Sequence, residues 1–224
     1  MWKVVVATAW TALVAAVVWY AVTKLPRTED TAAQVELAPA APEAGETVFL
    51  PTPRSQVGCG SHCGTERWAV KTMSDPDRGL VDMHPIAASV ESLASLPVEA
   101  GGANTRGGVP ERRVFRVRGF LAGTKNENDG DVHLILFGMT NQRVSLIAEI
   151  PDPRCAGACR SGLSATYAEA REALATCLAQ PNPADRPIVV DVEGVGFFDR
   201  NHGQVGRAPN VFELHPVLKV SCSK

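Results

Sequence analysis

The chain has 224 residues, 45% of them hydrophobic, and a formal net charge of -2, which leaves room for one compact domain with appendages, since domains usually run to about 100–200 residues. Three of the 22 Lys and Arg residues and five of the 24 Asp and Glu residues precede Pro51, so the remainder balances at 19 of each. A neutral folded part argues against bulk, non-specific nucleic-acid binding, which needs a net basic surface.

Residues 1–23 contain the apolar run Val4–Val22, 19 residues without a charge, with Trp10, Trp19 and Tyr20 inside it. At about 1.5 Å per residue it spans roughly 28 Å, the thickness of a hydrocarbon core, and Trp19 and Tyr20 suit an interfacial belt. The run predicts a single-pass N-terminal anchor in a bacterial inner membrane, with the folded part extracytoplasmic. The alternative is a secreted protein whose signal peptide is cleaved, although YAVTKLPR after the run offers no good small-x-small site. Lys3 on one side faces Lys24 and Arg27 on the other, so charge alone does not set the topology. Residues 24–57 are rich in Ala, Pro and Glu without a sustained apolar period and read as a disordered spacer.

The six cysteines, Cys59, Cys63, Cys155, Cys159, Cys177 and Cys222, all lie beyond the spacer. An even number in an exported domain predicts disulfides, with the pairing left open. CGSHCG places His62 between two cysteines, but a zinc knuckle normally spaces its cysteines by two residues and needs four ligands, so a disulfide-related turn is the stronger reading.

Within residues 58–110, the alternation of Trp68, Val70 and Thr72 predicts a short strand, and DPDRG from Asp75 predicts a turn. Ile86, Val90, Leu93 and Leu96 recur at helical spacing, which predicts a helix stopped by Pro97. Gly101, Gly102, Gly107, Gly108 and Pro110 mark a loose linker.

From Glu111 the period changes to two. Phe115, Val117 and Leu121 share one face of a predicted strand and Arg116 and Arg118 the other. Thr124–Gly130 is a polar turn; Asp131–Phe137 and Val144–Ile150 are the second and third strands. A helix follows, with Ser164 as its predicted N-cap and Tyr167, Ala170, Leu174 and Leu178 as its apolar stripe. Ile188–Glu193 and Val211–Val220 supply two more strands, with Gly194 and Gly196 bending the fourth. The predicted fold is therefore mainly β with two short helices: residues 111–224 form an OB-like five-stranded barrel in the order β-β-β-α-β-β, preceded by a small α/β segment and the transmembrane helix. A β-sandwich would want about seven strands and no intervening helix.

The phrases RWAVKT, DVHLIL, LIAEIPDP, GVGFFD, HGQVGRAPN and ELHPVL, spread over residues 67–218, together resemble a family of small exported bacterial proteins. No activity is assigned to that family, so the resemblance implies an exported OB-like domain and supplies no catalytic residues. CGSHCG and CAGAC fall outside the shared pattern.

In an OB barrel the loops between strands one and two and between strands four and five flank the binding face, here Thr124–Gly130 and Asp199–Asn210. The candidate ligand-binding residues are His133, Asp199, Arg200, His202, Arg207, Asn210 and His215, against the plainer reading of polar turn chemistry. His215 precedes Pro216, which marks an edge or bulge. The expected function is a membrane-tethered binding module with an envelope protein, an oligosaccharide or a nucleic acid as partner. The alternatives are a metal-assisted, nuclease-like hydrolase built from His133, Asp199, His202 and His215, and a structural envelope protein. No phosphate loop, nucleophile elbow, zinc-protease helix or dinucleotide fingerprint is present, which disfavours the common enzyme classes and predicts no cofactor.

Overall fold

Strand β2, Arg113–Asn126, is long enough to serve two neighbours at once, and the barrel closes around it. Its first half pairs antiparallel with β5, Ile188–Phe198, from Val114↔Val195 to Leu121↔Ile188. Its second half pairs antiparallel with β3, Val132–Phe137. A register shift between Leu121 and Gly123 bends β2 where it changes partner. β3 pairs with β4, Ser145–Ile150, which meets β6, Phe212–Cys222, in parallel at Ile147↔Glu213 and Ala148↔Leu214, and β6 returns antiparallel to β5. The closed order β2-β3-β4-β6-β5 is that of an OB-like barrel. The computed structural model describes residues 59–60, 63–180, 187–201 and 203–223; the apolar run Val4–Val22, the spacer, His62 and His202 lie outside them.

The barrel interior follows from the period-two pattern. Val117, Leu121, Leu134, Leu136, Leu146, Ala148, Ile150, Val190, Val192, Phe198, Phe212 and Leu214 form one buried cluster, the alternate residues of strands that face inward. The helix between β4 and β5, Ser164–Leu178, closes it through Tyr167, Ala170 and Leu174. The expected stripe is corrected at two points. Cys177 is buried and Leu178 is exposed, because Cys177 is tied to Cys222 on β6. Leu163 is the N-cap, and the Ser164 hydroxyl donates to the Pro153 carbonyl instead of capping.

Gly194 and Gly196 sit at a double register shift between β5 and β6. A Cβ on Gly196 would lie 2.2 Å from the Pro110 carbonyl oxygen, so only glycine lets the preceding segment pass this close. On β6 the shift spans His215 and Pro216, joined by a cis peptide bond. Arg116 and Arg118 lie on the solvent face, paired with Glu193 and Asp191 at 2.8 Å each.

The segment before the barrel departs from the sequence pattern. RWAVKT is not a strand: Trp68–Lys71 is a single helical turn, α1, with Trp68, Val70 and Lys71 all buried. Alternation fails there because both flanks of the turn are covered. Residues 86–89 are not helical either. Asp82–Ser89 forms β1, parallel to the part of β2 that β3 leaves free, and pairing with that open edge overrides the helical spacing. Only Val90–Leu93, α2, is a helix, started by a capping box of Ser89 and Ser92. Ala156–Arg160 is α3 and Ser164–Leu178 is α4.

The glycine-rich stretch before Pro110 is held by two buried ion pairs. Arg106 grips Asp75 with Nε and Nη2 at 3.1 and 2.7 Å. Arg67 grips Glu111 with Nη1 and Nη2 at 2.6 and 2.8 Å. Three disulfides complete the frame: Cys59–Cys159, Cys63–Cys155 and Cys177–Cys222. CGSHCG and CAGAC thus bond to each other, and the first two bridges fasten the chain before α1 to α3.

Candidate functional site

On the outer face of the barrel, beside the core, several strands carry charge where alternation places a side chain outward. His133 and Ile135 point out from β3, Glu149 from β4, and Glu213 and His215 from β6. The segment from Cys63 to Lys71 covers one flank of this face. What remains is a cleft of about 610 Å³. Its walls are the loop 127–131 between β2 and β3, the loop after Asp199 between β5 and β6, and the disulfide-held segment. These are the two loops that flank the binding face of an OB barrel. Gly206, at φ +85°, packs its backbone against Ile135, where a Cβ would come within 2.5 Å.

The cleft is acidic. Glu66, Glu127, Asp129, Glu149 and Asp199 line it, against Lys71, Lys125 and His133. Glu149 is the hub: Oε1 lies 2.8 Å from Nδ1 of His133 and Oε2 lies 3.0 Å from Nδ1 of His215. Burial alone would raise the Glu149 pKa, but His133, His215 and Lys71 hold it well below the usual carboxylate range. Glu213 goes the other way. It is buried, and desolvation together with the charges of Glu149 and Asp199 pushes it well above that range. For Lys71, burial opposes the charged form, but Asp199, Glu149, Glu213 and Asp129 outweigh it and raise its pKa. Its Nζ is 3.5 Å from Asp199 Oδ2 and 5.3 Å from the Phe197 ring centroid.

His215 is completely buried against the edge of Phe197. Its Nε2 lies 3.1 Å from Asp131 Oδ2, on the side of the ring away from Glu149. Desolvation would lower its pKa, yet the Asp131 and Glu149 carboxylates hold it up at about 9. The contacts are electrostatic: neither ring nitrogen makes an aligned hydrogen bond among the described residues, and neither does Asp131 Oδ2.

The sequence candidates separate into two groups. His133, His215 and Asp199 belong to the cleft or its floor. Arg200 is exposed and pairs with Glu66 at 2.8 Å, outside the cleft lining. Asn210 is structural: its Nδ2 donates to the carbonyls of Leu93 and Leu96 at 2.8 and 3.0 Å. Arg207 is half-buried and does not line the cleft, and His202 is outside the described residues. Of the four residues of the hydrolase reading, His133 and His215 meet on Glu149 while Asp199 turns to Lys71. Sequence reasoning missed Lys71, Asp131, Glu149 and Glu213. Their signal was there: Glu149 in LIAEI and Glu213 in VFELH are lone acids inside apolar strands, where a buried charge needs a partner.

Fold and site together define an OB-like barrel with an acidic, histidine-containing cleft on its outer face. Comparison with protein-family models, curated proteins and solved structures finds no match for this chain.

Proposed function

We propose that the chain is a membrane-tethered, extracytoplasmic binding module of the bacterial envelope, and that its ligand occupies the cleft between the loops 127–131 and 199–211. The observation that carries the reading is the position and sign of the cleft: it lies on the OB binding face and is lined by five carboxylates against two lysines. Carboxylates accept hydrogen bonds from hydroxyls and amines and repel phosphates. A hydroxyl- or amine-bearing oligosaccharide fits this lining; a nucleic acid does not. The tether and the compartment are supported by the Val4–Val22 run and by the three disulfides, which persist in oxidising surroundings.

The test is a thermal-shift panel on the full chain with neutral oligosaccharides, amino-sugar oligomers and short oligonucleotides. Stabilisation by an amino-sugar or neutral oligomer that disappears in Glu149→Gln supports the reading. Stabilisation by oligonucleotides alone, or by nothing in the panel, counts against it. The hydrolase reading is favoured by one observation, the meeting of His133 and His215 on Glu149; turnover of a phosphodiester substrate lost in His133→Ala would establish it instead.

A further inference from the structure

Beneath the cleft, three residues from separate parts of the barrel bring donor atoms together. Asp131 comes from the end of the β2–β3 loop, Glu149 from β4 and His215 from β6. One ligand atom of each lies within 4.8 Å of the others, and all three residues are buried. We propose that Asp131, Glu149 and His215 bind a divalent first-row metal ion at the floor of the cleft. This goes beyond the binding-module reading, which stands whether or not an ion is present.

Two observations carry it besides the proximity of acids. First, the buried polar atoms of the cluster face only one another, as ion pairs without aligned hydrogen bonds. Asp131 Oδ2 and both ring nitrogens of His215 lack a hydrogen-bond partner among the described residues, although Asp131 and His215 are fully buried. Buried polar atoms in that state are costly, and a bound ion is one physical reason for them. Second, each carboxylate is already oriented through its other oxygen. Asp131 Oδ1 accepts the Asp152 backbone N–H at 3.2 Å, and Glu149 Oε1 faces His133 Nδ1 at 2.8 Å. That leaves Asp131 Oδ2 and Glu149 Oε2 turned to His215. Outer contacts of this type position ligands in metal sites. A neutral His215 can ligate through one of its ring nitrogens.

Two carboxylate oxygens and one imidazole nitrogen suit Mn²⁺, Fe²⁺ or Zn²⁺ better than an all-oxygen ion such as Ca²⁺. Bonds of about 2.0–2.2 Å allow two donors to be at most about 4.4 Å apart, so the cluster has to tighten by a few tenths of an ångström. Glu149 also lines the cleft, which gives the ion an entry path.

The test uses the full chain, untagged and with its disulfides intact, titrated with Mn²⁺ and read by electron paramagnetic resonance. The expected result is one Mn²⁺ per chain with a nitrogen coupling from a single imidazole. Asp131→Asn, which keeps the oxygen that accepts from Asp152, should weaken uptake by about 100-fold. Asp191→Asn on the opposite face should leave uptake unchanged. Should Asp131→Asn fail to fold, the nitrogen coupling in the unaltered chain decides alone. Absence of uptake at millimolar Mn²⁺ and Zn²⁺, uptake without nitrogen coupling, or uptake equal in folded Asp131→Asn overturns the assignment and leaves His215 as an ion-paired core residue.

Discussion

Replacing Glu111 with Ala removes a fully buried carboxylate that accepts five hydrogen bonds: two from Arg67, and one each from the backbone N–H groups of Gly101, Gly107 and Phe198. Arg67 is itself only 7% exposed and would keep its charge without a counter-ion. Breaking a buried pair from one side costs about 3–5 kcal/mol, mostly because the remaining charge is stranded. For a domain of this size that corresponds to a fall in Tm of roughly 6–20 °C. Thermal unfolding of Glu111→Ala followed by circular dichroism, under oxidising conditions, measures it. Arg67 and Glu111 join the segment bearing α1 to the end of β5, so amide exchange across 64–72 should rise in the same variant. The double variant Arg67→Leu/Glu111→Leu should lose less than the single one, since no charge is stranded. A loss below about 1 kcal/mol in Glu111→Ala would refute the reasoning, because the pair would then contribute no more than an exposed one.

Other perturbations test other parts of the account. Replacing Cys177 and Cys222 together by Ser opens a bridge of sequence separation 45 and should lower stability by about 4 kcal/mol, read from denaturant unfolding. Glu91 Oε1 accepts from the Thr140 and Asn141 backbone N–H groups and the Thr140 hydroxyl at 2.7–3.0 Å. Partial burial works against its ionisation, but these donors hold its pKa at about 2, below the usual 4.5. Its contribution is therefore complete above pH 4.5 and is lost as pH falls toward 2. Glu91→Gln should cost about 1 kcal/mol at neutral pH, discounted for exposure, with the gap to the unaltered chain closing over that window in unfolding measurements. Gly196→Ala should destabilise by about 1–3 kcal/mol in thermal unfolding, as its Cβ meets the Pro110 carbonyl at 2.2 Å.

The barrel was legible because each of its strands has one face on a common core, so Val117 and Leu121, or Leu134 and Leu136, recur at period two. The segment before it was not. Trp68, Val70 and Lys71 are buried on every side of a four-residue turn, which leaves no period to read. Asp82–Ser89 takes its conformation from the free edge of β2, a partner about thirty residues away in sequence. In the cleft, His133, Asp199 and His215 stood out by residue type, whereas Lys71, Asp131, Glu149 and Glu213 become a cluster only when β3, β4, β6 and α1 meet. Arg200 and Asn210 stood out for the same polarity and proved to be a surface ion pair and a loop clamp.

Amide hydrogen exchange of the full chain with and without an amino-sugar oligomer locates the ligand. The account predicts slowed exchange in peptides covering 127–131 and 203–205, the two walls of the acidic cleft, and no effect of an oligonucleotide of similar length. Protection confined to the Arg116 and Arg118 face, or protection by the oligonucleotide in place of the sugar, would contradict it.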